Sequence, residues 1–211
     1  FDSQKHSPKE FETNLEWAKK LKEAMNENRL VAYFQPIYNI KHDHIMKFES
    51  LVRMIDGDKV ISPFFFLPVA EQIGALTEIT KIMLENVFTV AQEYPDLEFS
   101  INTSFEDFEY AGILEVVKEM LSRFNIQPKN IIFEILETGT FSDEGRTTEA
   151  IKELKSLGFK IAIDDFGTGN SNFAHLTLMQ VDYIKIDGQF IKDIVNDKSS
   201  QNITQTIKAY A

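Results

Sequence analysis

From Phe11 the apolar positions Phe11, Leu15, Ala18, Leu21 and Met25 step by three and four, the spacing of one helical face. Asn26-Glu27-Asn28 ends that segment, which reads as a surface helix packed on a core or as a connector from an upstream domain. The pattern then changes. Short apolar runs rich in β-branched and aromatic residues predict strands over 30–37, 45–53, 97–102, 131–136, 160–164 and 183–187. Helical stretches are expected near 63–73, 77–94, 112–124, 147–157, 171–178 and 201–211. Gly158 stands where a helix C-terminal cap is expected, and Pro128 breaks the chain ahead of the fourth strand. Strands alternating with helices predict an α/β fold on a parallel sheet, open or closed into a barrel.

Composition narrows the chemistry. The chain has 211 residues, 22 Lys and Arg against 33 Asp and Glu, a formal charge of −11, and no Cys. An acidic surface argues against binding a nucleic-acid polymer, which needs cations facing phosphates. It leaves room for a small phosphorylated ligand held through a divalent metal. Without Cys there are no disulfides or thiolate metal sites, and a cytoplasmic location is expected. No apolar run reaches the ~18 residues of a membrane span, so this segment is expected to make no membrane contact, although the full protein could be tethered.

The informative residues are polar ones inside strands that should be apolar. Glu49, Asn102, Glu134, Asp164 with Asp165, and Lys185 fall in five successive predicted strands after the first. A buried unpaired carboxylate is costly, so each needs a partner. Taken singly, each could be an exposed edge residue or half of a structural ion pair; five in a row point to a site. In barrels of β/α units, sites collect at the C-terminal ends of the strands. The set is all oxygen, which suits Mg²⁺ or Mn²⁺. Adjacent Asp164 and Asp165 could serve two ions, a recurring device in phosphoester hydrolysis. Lys185 could hold a water or neutralise a phosphate oxygen, and the Arg53 guanidinium could fork onto phosphate. None of the four His reads as a ligand. Asp165-Phe166-Gly167 lacks the other pieces of a kinase.

These residues carry a resemblance. Gln35-Pro36-Ile37, Glu49-Ser50-Leu51-Val52-Arg53, Ile61-Ser62-Pro63 with Phe66, Pro68, Ala70 and Glu71, Ile101-Asn102-Thr103-Ser104, and Phe133-Glu134-Ile135-Leu136-Glu137-Thr138 follow one another in order. Ala162-Ile163-Asp164-Asp165-Phe166-Gly167-Thr168-Gly169 and Val181-Asp182-Tyr183-Ile184-Lys185-Ile186-Asp187 complete the series. The chain resembles the EAL-domain family of bacterial cyclic di-GMP phosphodiesterases, from about Leu15 to the last residue, with Ser50 where the signature has Ala.

The resemblance implies a TIM-like (β/α)₈-type barrel whose first strand is antiparallel, with the last two β/α units absent from this chain. Residues 1–28 would be an N-terminal connector and helix, and 29–211 the C-terminally incomplete barrel domain. It implies metal-dependent hydrolysis of cyclic di-GMP to linear pGpG, with little or no activity expected from this C-terminally incomplete chain by itself. Glu49, Asn102, Glu134 and Asp164 would bind one Mg²⁺ or Mn²⁺, and Asp164 and Asp165 a second. Lys185 would contact the attacking water, so that Lys185, Glu49, Asp164 and Asp165 form the catalytic set. Gln35, Leu51 and Arg53 would contact substrate, and Glu137 would anchor the loop 165–172. A homodimer and an upstream sensory or GGDEF-type domain are expected partners. Asn170 and Asn172 depart from the family's loop pattern, and so does the loss of a later Glu that completes the second metal site. The alternative is a non-catalytic EAL-like domain that binds cyclic di-GMP or signals through dimerisation.

Overall fold

The computed structural model describes residues 8–109, 112–136, 144–167, 176–177 and 179–210. Helix α1, Pro8–Asn26, turns Leu21 of the expected face fully into the core together with Ala24, whereas Leu15 of that face is 64% exposed. Strands β1, Leu30–Asn39, and β2, His44–Asp56, then form an antiparallel hairpin from Leu30↔Met54 to Asn39↔His44. Its turn is closed by Asn39 Oδ1, which accepts from the backbone N–H of Lys41 and His42 (both 3.1 Å).

From β2 onward the sheet is parallel. Strands β4, Glu98–Thr103, β5, Ile131–Leu136, β6, Lys160–Phe166, and β7, Tyr183–Ile186, follow in sequence order, giving β1-β2-β4-β5-β6-β7. The short β3, Lys59–Ile61, pairs with the end of β2. Among the described residues β1 pairs only with β2 and β7 only with β6, so the sheet does not close on itself. Helices fill the crossovers: α2, Leu67–Gln72, and α3, Leu76–Glu93, after β2, then α4, Phe105–Glu109, and α5, Gly112–Arg123, after β4, and α6, Glu144–Ser156, after β5. Helices α7, Gly188–Lys192, and α8, Lys198–Tyr210, follow β7.

The core lies between sheet and helices. Ile79, Met83, Leu84, Val87, Phe88 and Ala91 of α3 are all buried. Phe88 stacks on Phe159 (6.3 Å between ring centres), and Phe133 meets Phe159 edge-on (5.3 Å). Because parallel strands are covered on both faces, β5 is buried from Ile131 to Ile135.

Several expectations are corrected. The helix expected at 63–73 is two pieces, a 3₁₀ turn over Pro63–Phe65 and then α2, with a proline near the start of each. The strand expected to reach 187 stops at Ile186, because Asp187 caps α7 by accepting from the Gln189 N–H (2.6 Å). Strand β3 and helices α4 and α7, of three to five residues, are too short to show a period. The helix expected at 171–178 lies largely outside the described residues.

Candidate active site

The register of the sheet decides which polar residues meet. Glu49 in β2 faces Gln35 across the hairpin and Ser100 in β4. Asn102 of β4 pairs with Glu134 of β5. Asp164 of β6 pairs with Leu136, two residues past Glu134. Side chains alternate along a strand, so Glu49, Leu51 and Arg53 share one face of β2, with Gln35 opposite Glu49 on that same face.

These placements bring carboxylates from three strands together. One oxygen from each of Glu49, Glu134 and Asp164 lies within 4.8 Å of the others. Lys185, from β7, reaches into the group: its ammonium donates to Glu134 Oε2 (2.7 Å), Asp164 Oδ2 (2.8 Å) and Glu49 Oε2 (3.3 Å). Asn102 Nδ2 donates to Glu49 Oε1 (3.4 Å), and Asp164 Oδ1 accepts from the Asp165 N–H (2.9 Å).

Three carboxylates on one ammonium leave a net negative centre in a partly desolvated place. Glu134 is 3% exposed. Burial holds its carboxyl above the ordinary value, and the Lys185 ammonium offsets part of that effect. For Lys185, burial works against the charge, yet the hydrogen bonds to Asp164 and Glu134 together win and hold its proton above the ordinary lysine range. The side chain is therefore a fixed cation and a donor. A centre that packs a cation among three carboxylate oxygens, with the Asn102 amide alongside, has the donor chemistry that Mg²⁺ or Mn²⁺ takes.

Asp165 stands apart from the three converging carboxylates. Its backbone is left-handed (φ 53°), a conformation that Asp tolerates better than most residues. Desolvation, then the neighbouring Asp164 and Asp187, raise its carboxyl above the ordinary value. Gly167, at φ 107°, is required twice over: a Cβ there would sit 2.6 Å from the Phe190 ring of α7. Arg53 is half-buried, donates from Nη1 to the Val52 carbonyl (2.8 Å), and lies 5.9 Å from the Tyr33 ring centre. Glu137 lies outside the described residues, as does the loop beyond Gly167 through 175.

One side chain beside this centre escaped the sequence reading. Asp107 in α4 is fully buried and accepts from the Ser104 N–H (2.9 Å), while Ser104 Oγ accepts from the Asp107 N–H (3.2 Å). The spacing Ser104-Phe105-Glu106-Asp107 is a capping-box signature and could have flagged it.

The comparisons with known proteins point to one family. The chain is 30% identical over 194 residues to the signaling protein YkoW of Bacillus subtilis, across 90% of this chain and 24% of that protein. It is 31% identical over 204 residues to the cyclic di-GMP phosphodiesterase PdeF of Escherichia coli, across 94% of this chain and 27% of that protein. The chain thus spans about a quarter of the length of these curated relatives. The structure of the phosphodiesterase PaMucR in its c-di-GMP complex superposes with a TM-score of 0.84 at 27% identity, over 92% of this chain and 81% of that one. With its parallel strands, its antiparallel first strand and its acidic centre in place, and with the EAL domain profile matching residues 18–211, the chain belongs to the EAL domain family.

Proposed function

We propose that this domain hydrolyses one phosphodiester of cyclic di-GMP, giving linear pGpG, with Mg²⁺ or Mn²⁺. The observation that carries the reading is the convergence of Glu49, Glu134 and Asp164 around Lys185. It is supported by relatives named as cyclic di-GMP phosphodiesterases. Glu49, Asn102, Glu134 and Asp164 would hold one ion, with Asp164 and Asp165 at a second. Bound there, the metal supplies Lewis-acid polarisation of a phosphate oxygen and a water acidified enough to attack. Lys185 works as a donor, since its proton is held tightly; release of one carboxylate contact frees it for a water or a phosphate oxygen. The guanidinium of Arg53 pairs with a phosphate oxygen, while Gln35 and Leu51, on the same hairpin face as Glu49, position the substrate. Glu137 would steady the loop after β6. We also assign a homodimer to the whole protein, and an upstream sensory or GGDEF-type domain, the latter in line with the bifunctional diguanylate cyclase/cyclic di-GMP phosphodiesterase MucR of Pseudomonas aeruginosa among the relatives.

The test is to incubate the purified whole protein that carries this domain with cyclic di-GMP and Mn²⁺ and separate the products by chromatography. The expected result is pGpG from the wild type and at least a 100-fold lower rate from Asp164→Asn, the size of effect seen when one transition-state-stabilising group is lost. An Asp164→Asn protein that folds and turns over like the wild type refutes the assignment of the centre.

A further inference from the structure

Toward the N-terminal ends of the strands, the acidic centre is underlain by a second charged layer. Side chains alternate along a strand, so Lys47 shares a face of β2 with Glu49, two residues nearer the start. Glu98 of β4 stands in register with Lys47, and Lys160 of β6 with Ile132, two residues before Glu134. Glu98 joins the two lysines: Oε2 is 3.4 Å from the Lys47 ammonium, and Oε1 accepts from the Lys160 ammonium (2.7 Å). Tyr183, two residues before Lys185 on β7, completes the layer. Its hydroxyl accepts from Lys160 (3.2 Å), and the Lys47 ammonium rests 3.4 Å from its ring centre. Lys47 of β2 and Tyr183 of β7 thus meet across the same gap that Lys185 crosses to reach Glu49.

The two layers are opposite in sign. Two ammonium groups on one carboxylate leave the lower layer positive, whereas three carboxylates on one ammonium leave the upper layer negative. Two residues of strand separate them, ~6–7 Å. Lys47 is 23% exposed and Lys160 27%, so water weakens the field between the layers without abolishing it. Pairing with Glu98 accounts for one of the two lysines. The second is a surplus charge, and the carboxylates above are what its field acts on. It draws on them and repels a divalent ion arriving among them. We propose that Lys47 and Lys160 are positioning residues that act through this field, holding the divalent-ion affinity of the Glu49, Glu134 and Asp164 centre below what those carboxylates and Lys185 alone would give. The inference rests on the metal-dependent reading and adds the residues that set how tightly the ion is held.

The experiment is calorimetric titration of Mn²⁺ at low ionic strength into the whole protein that carries this domain, with Asp164→Asn giving the background from ions bound elsewhere. Lys47→Met and Lys160→Met should each tighten Mn²⁺ binding roughly fivefold, and the gain should shrink as salt is added. Glu98→Gln makes the lower layer more positive and should loosen binding by a similar factor. Damage to the fold would loosen binding in all three, so the opposite signs separate the field from structure. Lys47→Arg and Lys160→Arg keep the charge and should keep the wild-type affinity. Lys118→Met, which removes a cation paired with Glu153 outside both layers, should leave it unchanged. Melts in EDTA identify any variant that fails to fold, and Glu98→Gln then carries the same test with its sign reversed. Unchanged or weaker Mn²⁺ binding in a folded lysine-to-methionine variant, or unchanged or tighter binding in folded Glu98→Gln, overturns the role of this layer and leaves the proposed function standing. A wild type that takes up no more Mn²⁺ than Asp164→Asn overturns the metal centre itself and this inference with it.

Discussion

Replacing Lys185 by Met separates the structural role of the ammonium from its chemical one. Methionine keeps the length and apolar stem of the side chain and removes the charge. Glu134, at 3% exposure, and Asp164, at 15%, then lose their shared cation, and Glu49 loses its contact as well. Stripping one partner from a fully buried ion pair costs about 3–5 kcal/mol. Here Lys185 is 28% exposed, so water screens part of the loss and about 2–3 kcal/mol is the expected cost. For a domain of this size each kcal/mol moves Tm by ~2–4 °C, so the melt in EDTA should fall by roughly 4–12 °C. A divalent ion should restore what the ammonium supplied. The variant should therefore bind Mg²⁺ more tightly than the wild type, because no internal cation competes, and Mg²⁺ at 100 times its Kd would return about 2.7 kcal/mol. Turnover should nevertheless drop, because the donor to the substrate side is gone. Thermal melts and metal calorimetry on the two proteins, with and without Mg²⁺, check each part. An unchanged melt in EDTA, or weaker Mg²⁺ binding by the variant, refutes the picture of Lys185 as the counter-ion of this centre.

Two further outcomes follow from positions at either end of β6. Gly167→Ala meets the Phe190 ring and a left-handed backbone together, so a loss of more than ~1 kcal/mol is expected in urea unfolding, with partial relief in Gly167→Ala/Phe190→Ala. Lys160 donates to Glu98 (2.7 Å) and to Tyr183 Oη (3.2 Å); burial opposes its charge, but those two partners raise its proton affinity above the ordinary value. A lysine raised in the folded state contributes stability that is whole below its unfolded value of ~10.4 and is lost as pH rises through the higher folded value. Melts from pH 9 to 12 should thus show a steeper alkaline decline for the wild type than for Lys160→Met, and parallel curves would remove Lys160 from that role.

What could be read from the sequence divides along physical lines. Strands β4, β5 and β6 were legible because they lie inside a parallel sheet, largely buried, and so print as apolar runs, and β7 at the edge still carries the apolar Ile184 and Ile186. That same background made Glu134 and Lys185 visible: a carboxylate inside Ile131–Leu136 and an ammonium inside Tyr183–Ile186 have no reason to be there unless they meet each other, and they do, at 2.7 Å. Asn102 and Asp164 were visible for the same reason. Helix α4 and strand β3 were not, since five and three residues carry too few positions for any period to emerge. Asp107 was hidden differently. Its capping pattern is local and common, and only the fold reveals that the residue is fully buried and bonded to Thr80 of α3.

The charge distribution of the chain has its own logic at this centre. Three carboxylates brought within 4.8 Å repel one another, and a chain with a formal charge of −11 has little spare positive field to spend on them. Placing Lys185 on the neighbouring strand solves the folding problem without a metal, because the ammonium pairs with all three at once. It also leaves the centre short of neutrality, with three negative groups on one cation. A divalent ion entering this place therefore meets a net attraction, and it meets ligands already held in register by β2, β5 and β6. The lysine that lets the acidic site fold is thus too weak a counter-charge to fill it, and that shortfall is what makes the same residues a candidate metal-binding centre.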